Sequence, residues 1–180
     1  MRAVVVYESM YGNTRAIAEA IGAGISGAGQ VSVVPVASAS PDLVRDADLI
    51  VVGGPTHVHG MSRPATRASA AATAGQPLSE LVLQPGADGP GVREWLAGLG
   101  HVSGACAAFD TRMRGPAPLT GRASRAIATR LSRAGLTPVA APRSFLVTKA
   151  NELVPGQAAR AREWGALLAG KAAVSAAVTG

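Results

Sequence analysis

The sequence predicts an α/β fold, a three-layer sandwich whose five-stranded parallel sheet runs in the order 2-1-3-4-5 with helices on both faces. Three observations predict it. Short apolar runs recur along the chain without polar alternation, the pattern of strands buried on both faces. Between them lie segments whose apolar residues repeat at helical spacing. Five such units in 180 residues suit an open doubly wound sheet, because an eightfold barrel needs about 250 residues.

The elements follow in order. Residues 2–7 form the first strand, built on Ala3, Val4, Val5 and Val6. A helix over 13–26 puts Ile17, Ile21 and Ile25 on one face at i, i+4 and i+8. The second strand, 31–36, is bounded by Gly29 and by a helix start at Pro41-Asp42. The third, 49–52, ends at Gly53-Gly54-Pro55. The next segment reads as irregular: 64–75 is rich in Ala and Thr, 84–91 (QPGADGPG) reads as a loop, and Val92, Trp95, Leu96 and Leu99 make a short helix. The fourth strand covers 102–109 and the fifth 139–147, with an interruption at Pro142. Between them, a helix over 119–134 points Ala123, Ile127, Leu131 and Ala134 inward and Arg122, Arg125 and Arg133 outward. The last helix, 156–168, carries the inner stripe Ala161, Trp164 and Leu168. One domain is expected over 1–170, with 171–180 as a C-terminal tail.

Apolar residues make up 48% of the chain, charged residues 16% and aromatics 3%. The core is therefore Val, Leu, Ile and Ala in close helix-on-sheet packing, and disorder is excluded. No run reaches the roughly 18 apolar residues of a spanning helix, and Met1-Arg2 leads straight into a strand without a signal-peptide profile. The expectation is a cytoplasmic protein with no membrane insertion. Cys106 has no second cysteine to pair with and reads as a small core residue.

The net charge is +6, and residues 111–151 contain no acidic residue at all. That stretch carries Arg112, Arg114, Arg122, Arg125, Arg130, Arg133, Arg143 and Lys149, a positive face suited to an acidic partner or a phosphorylated ligand. Nucleic acid is not expected, because no aromatic residues interleave the basic ones to stack on bases.

In an open parallel sheet, ligands bind beyond the carboxyl ends of the strands. The stretch Ser9, Met10, Tyr11, Gly12, Asn13 and Thr14 joins the first strand to the first helix there. Its hydroxyls, glycine and free amides are the parts of a phosphate cradle. Alternatively, Ser9 or Asn13 would simply cap the helix and Gly12 make its turn. Gly22-Ala23-Gly24-Ile25-Ser26-Gly27 matches G-x-G-x-x-G in letters, but it lies at the end of a helix, where the dinucleotide fingerprint requires the start. No G-x-x-x-x-G-K-[ST] run is present, and no acidic pair follows the first strand.

A second stretch, Pro55, Thr56, His57, Val58, His59 and Gly60, follows the third strand and lies beside the first loop. YESMYGNT followed by GGPTHVHGMS resembles the phosphate loop and first ring-binding loop of the flavodoxin family. The resemblance implies a flavodoxin-like fold over most of the chain and flavin mononucleotide (FMN) as cofactor. It further implies that Ser9 to Thr14 surround the phosphate, that Pro55 to Gly60 line one side of the ring, and that Phe109, Asp110, Thr111 and Arg112, at the end of the fourth strand, line the other. Tyr11 stands where the family usually has Thr, and neither ring loop has the Trp or Tyr that commonly stack on the flavin. Neither histidine has a carboxylate or cysteine at ligand spacing, so no metal is expected, and no residue is assigned a catalytic role.

Three functions fit. The first is an electron carrier whose basic face docks on an acidic redox partner protein. The second is an NAD(P)H-dependent quinone or related reductase using FMN, and the third a binding domain of the same fold without cofactor. By that resemblance, His57, His59 and Arg112 near the ring, in place of acidic surroundings, predict a less negative potential than an acidic flavodoxin has.

Overall fold

The computed structural model describes residues 1–179. Its sheet contains β1 (Arg2–Tyr7), β2 (Gln30–Pro35), β3 (Leu49–His57), β5 (Ala105–Met113) and an edge made of β6 (Thr137–Pro138) and β7 (Arg143–Val147). The parallel order is β2-β1-β3-β5-β6, with β7 also paired to β5. This is the expected 2-1-3-4-5 arrangement, its last position filled by two short pieces. Proline has no N–H for a ladder, so the segment containing Pro142 separates them. β4 (Gly60–Met61) pairs antiparallel with the end of β3.

The strands are buried on both faces, as unalternating apolar runs require. Val4, Val6, Ile50, Val52, Cys106 and Ala108 pack on one side of the sheet. Ala3, Val5, Leu49, Val51, Ala105, Ala107 and Phe109 pack on the other. On the first side lie α2 (Pro41–Arg45), α4 (Val92–Gly98) and α6 (Ala123–Arg133); on the second lie α1 (Asn13–Ile25) and α7 (Gln157–Thr179). Each fully buried Ile of α1 contributes roughly 1.5–3 kcal/mol relative to exposure. Cys106 is a core residue, and burial pushes its thiol up to about 11.

Helices α1 and α7 meet backbone to backbone. A Cβ on Gly24 would fall on the Arg162 carbonyl oxygen, and one on Gly165 on the Ile21 carbonyl oxygen. Gly22 instead faces Val33 of β2. Gly22 and Gly24 of the false dinucleotide motif are therefore packing residues.

Five boundaries differ from the sequence reading. β3 runs on through Gly53-Gly54-Pro55 to His57, because Gly53 stays in register with Tyr7 and Phe109 and leaves room for the Phe109 ring. β5 likewise runs past Phe109 to Met113. The Ala-rich 64–75 segment is mostly helix, α3 (Pro64–Ala74), since Pro suits a first helical position and Ala is the best helix former. The 119–134 helix is broken into α5 (Ala117–Thr120) and α6 by Gly121, at φ 75°. Residues 171–179, expected as a tail, continue α7 with Ala172 buried; Gly180 lies outside the described residues.

Candidate functional site

The chain passes from β1 to α1 through a tight loop at the carboxyl end of the sheet. Gly12 takes φ 96°, a left-handed conformation that strains any side chain. Its N–H donates to Ser9 Oγ at 3.1 Å. No side chain caps α1. The two residues that sequence offers for capping are used elsewhere: Ser9 within the loop, and Asn13 through Nδ2 donation to the Asn151 carbonyl and Oδ1 at 2.7 and 3.2 Å. First-turn amides have no acceptor inside their own helix. Those of Asn13, Thr14 and Arg15 thus face outward at the positive end of the helix dipole, as an anion site requires.

Two side chains anchor this loop. The Thr14 and Thr111 hydroxyls lie 2.7 Å apart and tie α1 to β5. The Tyr11 hydroxyl donates to the Ala70 carbonyl on α3 at 2.7 Å, so the departure from Thr links the loop to a neighbouring helix.

A cleft of about 160 Å³ opens beside the loop. Ser9, Met10, Tyr11, Asn13 and Thr14 form one wall, Pro55, Thr56 and His57 a second, and Thr111 and Arg112 a third. Gly12 shapes the turn, and Val58, His59 and Gly60 lie beyond the cleft on the hairpin between β3 and β4. Phe109 and Asp110 do not face it. Phe109 is buried edge-on against Phe145, and Asp110 Oδ2 accepts from the Ser124 N–H at 2.7 Å at the start of α6. Residues 109–112 are strand rather than loop, and Phe109 and Asp110, on its opposite faces, are both fully buried. Met113, Val147 and Asn151 also line the cleft. Asn151 sits at φ 59°, a conformation Asn tolerates well; an Asn just after the last strand was the available signal.

Arg112 is held by the protein itself. Its Nη1 donates to the Gly115 carbonyl at 2.9 Å and to Thr120 Oγ1 at 2.7 Å. Burial lowers its pKa most, Asp110 opposing and Arg122 reinforcing. Asp110 and Arg112 form no ion pair among the described residues.

The hairpin is strained. Its two connecting residues, Val58 and His59, have φ 44° and 70°, the sign pattern of a type I′ turn, which favours Asn and Gly. Val58 is 81% exposed, so no packing accounts for a β-branched residue there. A left-handed conformation costs an ordinary residue roughly 1–2 kcal/mol. Val58→Asn is expected to stabilise the protein by about 1 kcal/mol, read as a higher urea midpoint at unchanged slope. An unchanged or lower midpoint contradicts the strain.

Beneath the hairpin lies a buried polar cluster that sequence reasoning missed. Glu8 is 5% exposed; its Oε2 accepts from the Val92 N–H at 2.8 Å, at the start of α4, and its Oε1 has no hydrogen-bond partner among the described residues. Arg67, 4% exposed, donates to Ser62 Oγ at 3.0 Å and pairs with Glu94 at 3.1 Å. His57 adjoins this cluster. Burial pushes its pKa below the ordinary histidine value and Arg67 acts the same way, against Glu8 and a backbone hydrogen bond at Thr66. Because the folded value is the lower one, the unfolded chain takes up the proton first. Stability from this group is present above about pH 6.5 and is lost as pH falls below it, down to the lower folded value. His57→Gln is expected to flatten the fall in Tm across that acidic window; an unchanged slope contradicts the assignment.

Comparison with known proteins adds the family. The flavodoxin family model matches residues 5–110. A search of curated proteins returns no match. Among solved structures, a flavodoxin from the domain Archaea is similar over 96% of this chain and 99% of its own, at 23% identity and TM-score 0.66. Flavodoxin 1 from Bacillus cereus is similar over 93% and 97%, at 16% identity and TM-score 0.64. The two-electron reduced flavodoxin of Megasphaera elsdenii is similar over 93% and 98%, at 22% identity and TM-score 0.55.

Proposed function

The chain belongs to the flavodoxin family, and from that premise we propose that it is an FMN-binding electron carrier whose basic face docks on an acidic redox partner protein. The single observation that carries this reading is the uncapped first turn of α1, aimed outward by the left-handed Gly12 at the carboxyl end of β1. At the starts of α4 and α6, Glu8 and Asp110 accept from the Val92 and Ser124 amides; the start of α1 has no such acceptor among the described residues and keeps its donors for an anion.

The residues fit the cofactor. Ser9, Met10, Gly12, Asn13 and Thr14 would hold the phosphate through backbone amides and hydroxyls. Pro55, Thr56 and His57 on one flank, with Thr111, Arg112 and Met113 on the other, would line the ring. When bound, FMN supplies one- and two-electron redox chemistry, and the chain supplies orientation and electrostatics. Neutral His57 adds hydrogen-bonding capacity to the cleft without a full charge. Arg112, tied to Gly115 and Thr120, adds a fixed positive charge that favours an anionic ligand state. This supports a potential less negative than that of an acidic flavodoxin.

Spectra of the purified protein with FMN, before and after NADPH, test the reading. Flavin absorption that persists with NADPH and bleaches with a chemical reductant is expected. Bleaching by NADPH without a partner would instead establish the reductase reading, and failure to retain any flavin would contradict both.

A further inference from the structure

Two arginines line a second pocket beside the β3–β4 hairpin, distinct from the cleft at the β1–α1 loop. It has a volume of about 240 Å³ and is lined by Arg63 and Arg93, with His57, Gly60 and Met61 of the hairpin and Thr66 of α3. Arg93 is positioned by the backbone: its Nε donates to the Ser62 carbonyl and its Nη2 to the Met61 carbonyl, each at 2.9 Å. Among the described residues, its Nη1 has no hydrogen-bond partner. Neither Arg63, Arg93 nor Arg130 has a carboxylate within ion-pair distance among those residues. The nearest candidate, Glu94, is committed to Arg67 at 3.1 Å and to the Gly91 N–H at 2.8 Å.

The electrostatics agree with the geometry. Arg93 has its pKa lowered by burial first, then by the positive charges of Arg130 and Arg63, with Glu94 and Glu8 opposing only in part. Like charges held together without counterions cost free energy that an anion would recover. We propose that this pocket binds a phosphate monoester dianion, separately from the phosphate loop at Ser9 to Thr14. A single carboxylate would compensate only one of the two guanidinium charges that line the pocket. A phosphate dianion offers two charges and three oxygens to planar donor forks. The pocket also suits one tetrahedral group better than a flat protein surface. The site stands whether or not FMN fills the neighbouring cleft.

The test is an amide-resolved NMR titration of the full chain, in the presence of FMN, with inorganic phosphate, NADP⁺ and NAD⁺ in separate arms. NAD⁺ carries phosphodiesters alone and is the control. Phosphate is expected to shift the Met61, Arg63 and Arg93 amides. Arg93→Gln removes the response, and Arg63→Gln, at an exposed position that leaves the fold intact, weakens it about tenfold, as expected for one charge-assisted hydrogen bond. Shifts with phosphate and NADP⁺ place a 2′-phosphate among the ligands; shifts with phosphate alone keep the site and restrict it to smaller monoesters. The proposal is overturned if neither ligand shifts these amides, if NAD⁺ shifts them equally, if only the Ser9 to Thr14 amides respond, or if Arg63→Gln binds as the parent does. Quenching of FMN fluorescence in the same samples reports on the cofactor reading separately.

Discussion

Gly24→Ala is expected to destabilise the protein by about 3 kcal/mol, the upper end of ordinary overpacking. For a chain of this length that is a fall in Tm of roughly 6–12 °C. The added Cβ would meet the Arg162 carbonyl oxygen and the Ala166 amide, both backbone atoms of α7. Neither can rotate aside, so α1 and α7 must separate. Separation would loosen Ile17, Ile21, Trp164 and Leu168, which share the core between them. Gly27→Ala is the matched control. It belongs to the same literal G-x-G-x-x-G run, yet a Cβ there meets nothing within 4 Å. It should leave Tm unchanged or slightly raised, since Gly→Ala at a compatible position restricts the unfolded chain. Equal effects at the two glycines would contradict the helix-crossing account.

Ser9→Asp is expected to move two quantities in opposite directions. The Ser9 oxygen accepts from the Gly12 N–H at 3.1 Å, an acceptor role a carboxylate can keep. The new charge would lie near the open start of α1, where a negative group stabilises by roughly 0.3–1 kcal/mol. Cofactor-free protein should therefore melt at the same or a higher temperature. The same charge would repel a bound phosphate and compete for its amides, so FMN affinity should fall by at least about 100-fold, or roughly 2.7 kcal/mol. A gain in Tm with FMN affinity intact would place the phosphate somewhere else. Loss of both would mean only that the loop had misfolded.

The layered fold was legible in sequence because parallel strands buried on both faces leave unbroken apolar runs, and because α1, α6 and α7 carry single apolar stripes. The misread boundaries share a cause. Gly53-Gly54-Pro55 has turn composition, but Gly53 is small so that Phe109 of the adjacent strand can pack against it. Only the partner reveals that purpose. Residues 109–112 read as a loop for the same reason, since the strands that prolong β5 there, β3 and β7, lie more than thirty residues away on either side. The β1–α1 loop could be read as a candidate phosphate cradle because its parts are contiguous. Glu8, Arg67 and Asn151 could not, because their roles come from contacts 84, 27 and 138 positions away, to Val92, Glu94 and Asn13.

The central claim is that the open start of α1 binds a phosphate group of the cofactor. The most direct measurement is a pair of dissociation constants, for FMN and for riboflavin, which differ only in that phosphate. Flavin fluorescence quenching on the same cofactor-free protein supplies both. FMN is expected to bind at one per chain and at least about 100-fold more tightly than riboflavin, consistent with several charge-assisted hydrogen bonds. Equal affinities for the two flavins, or no quenching by either, would contradict the account.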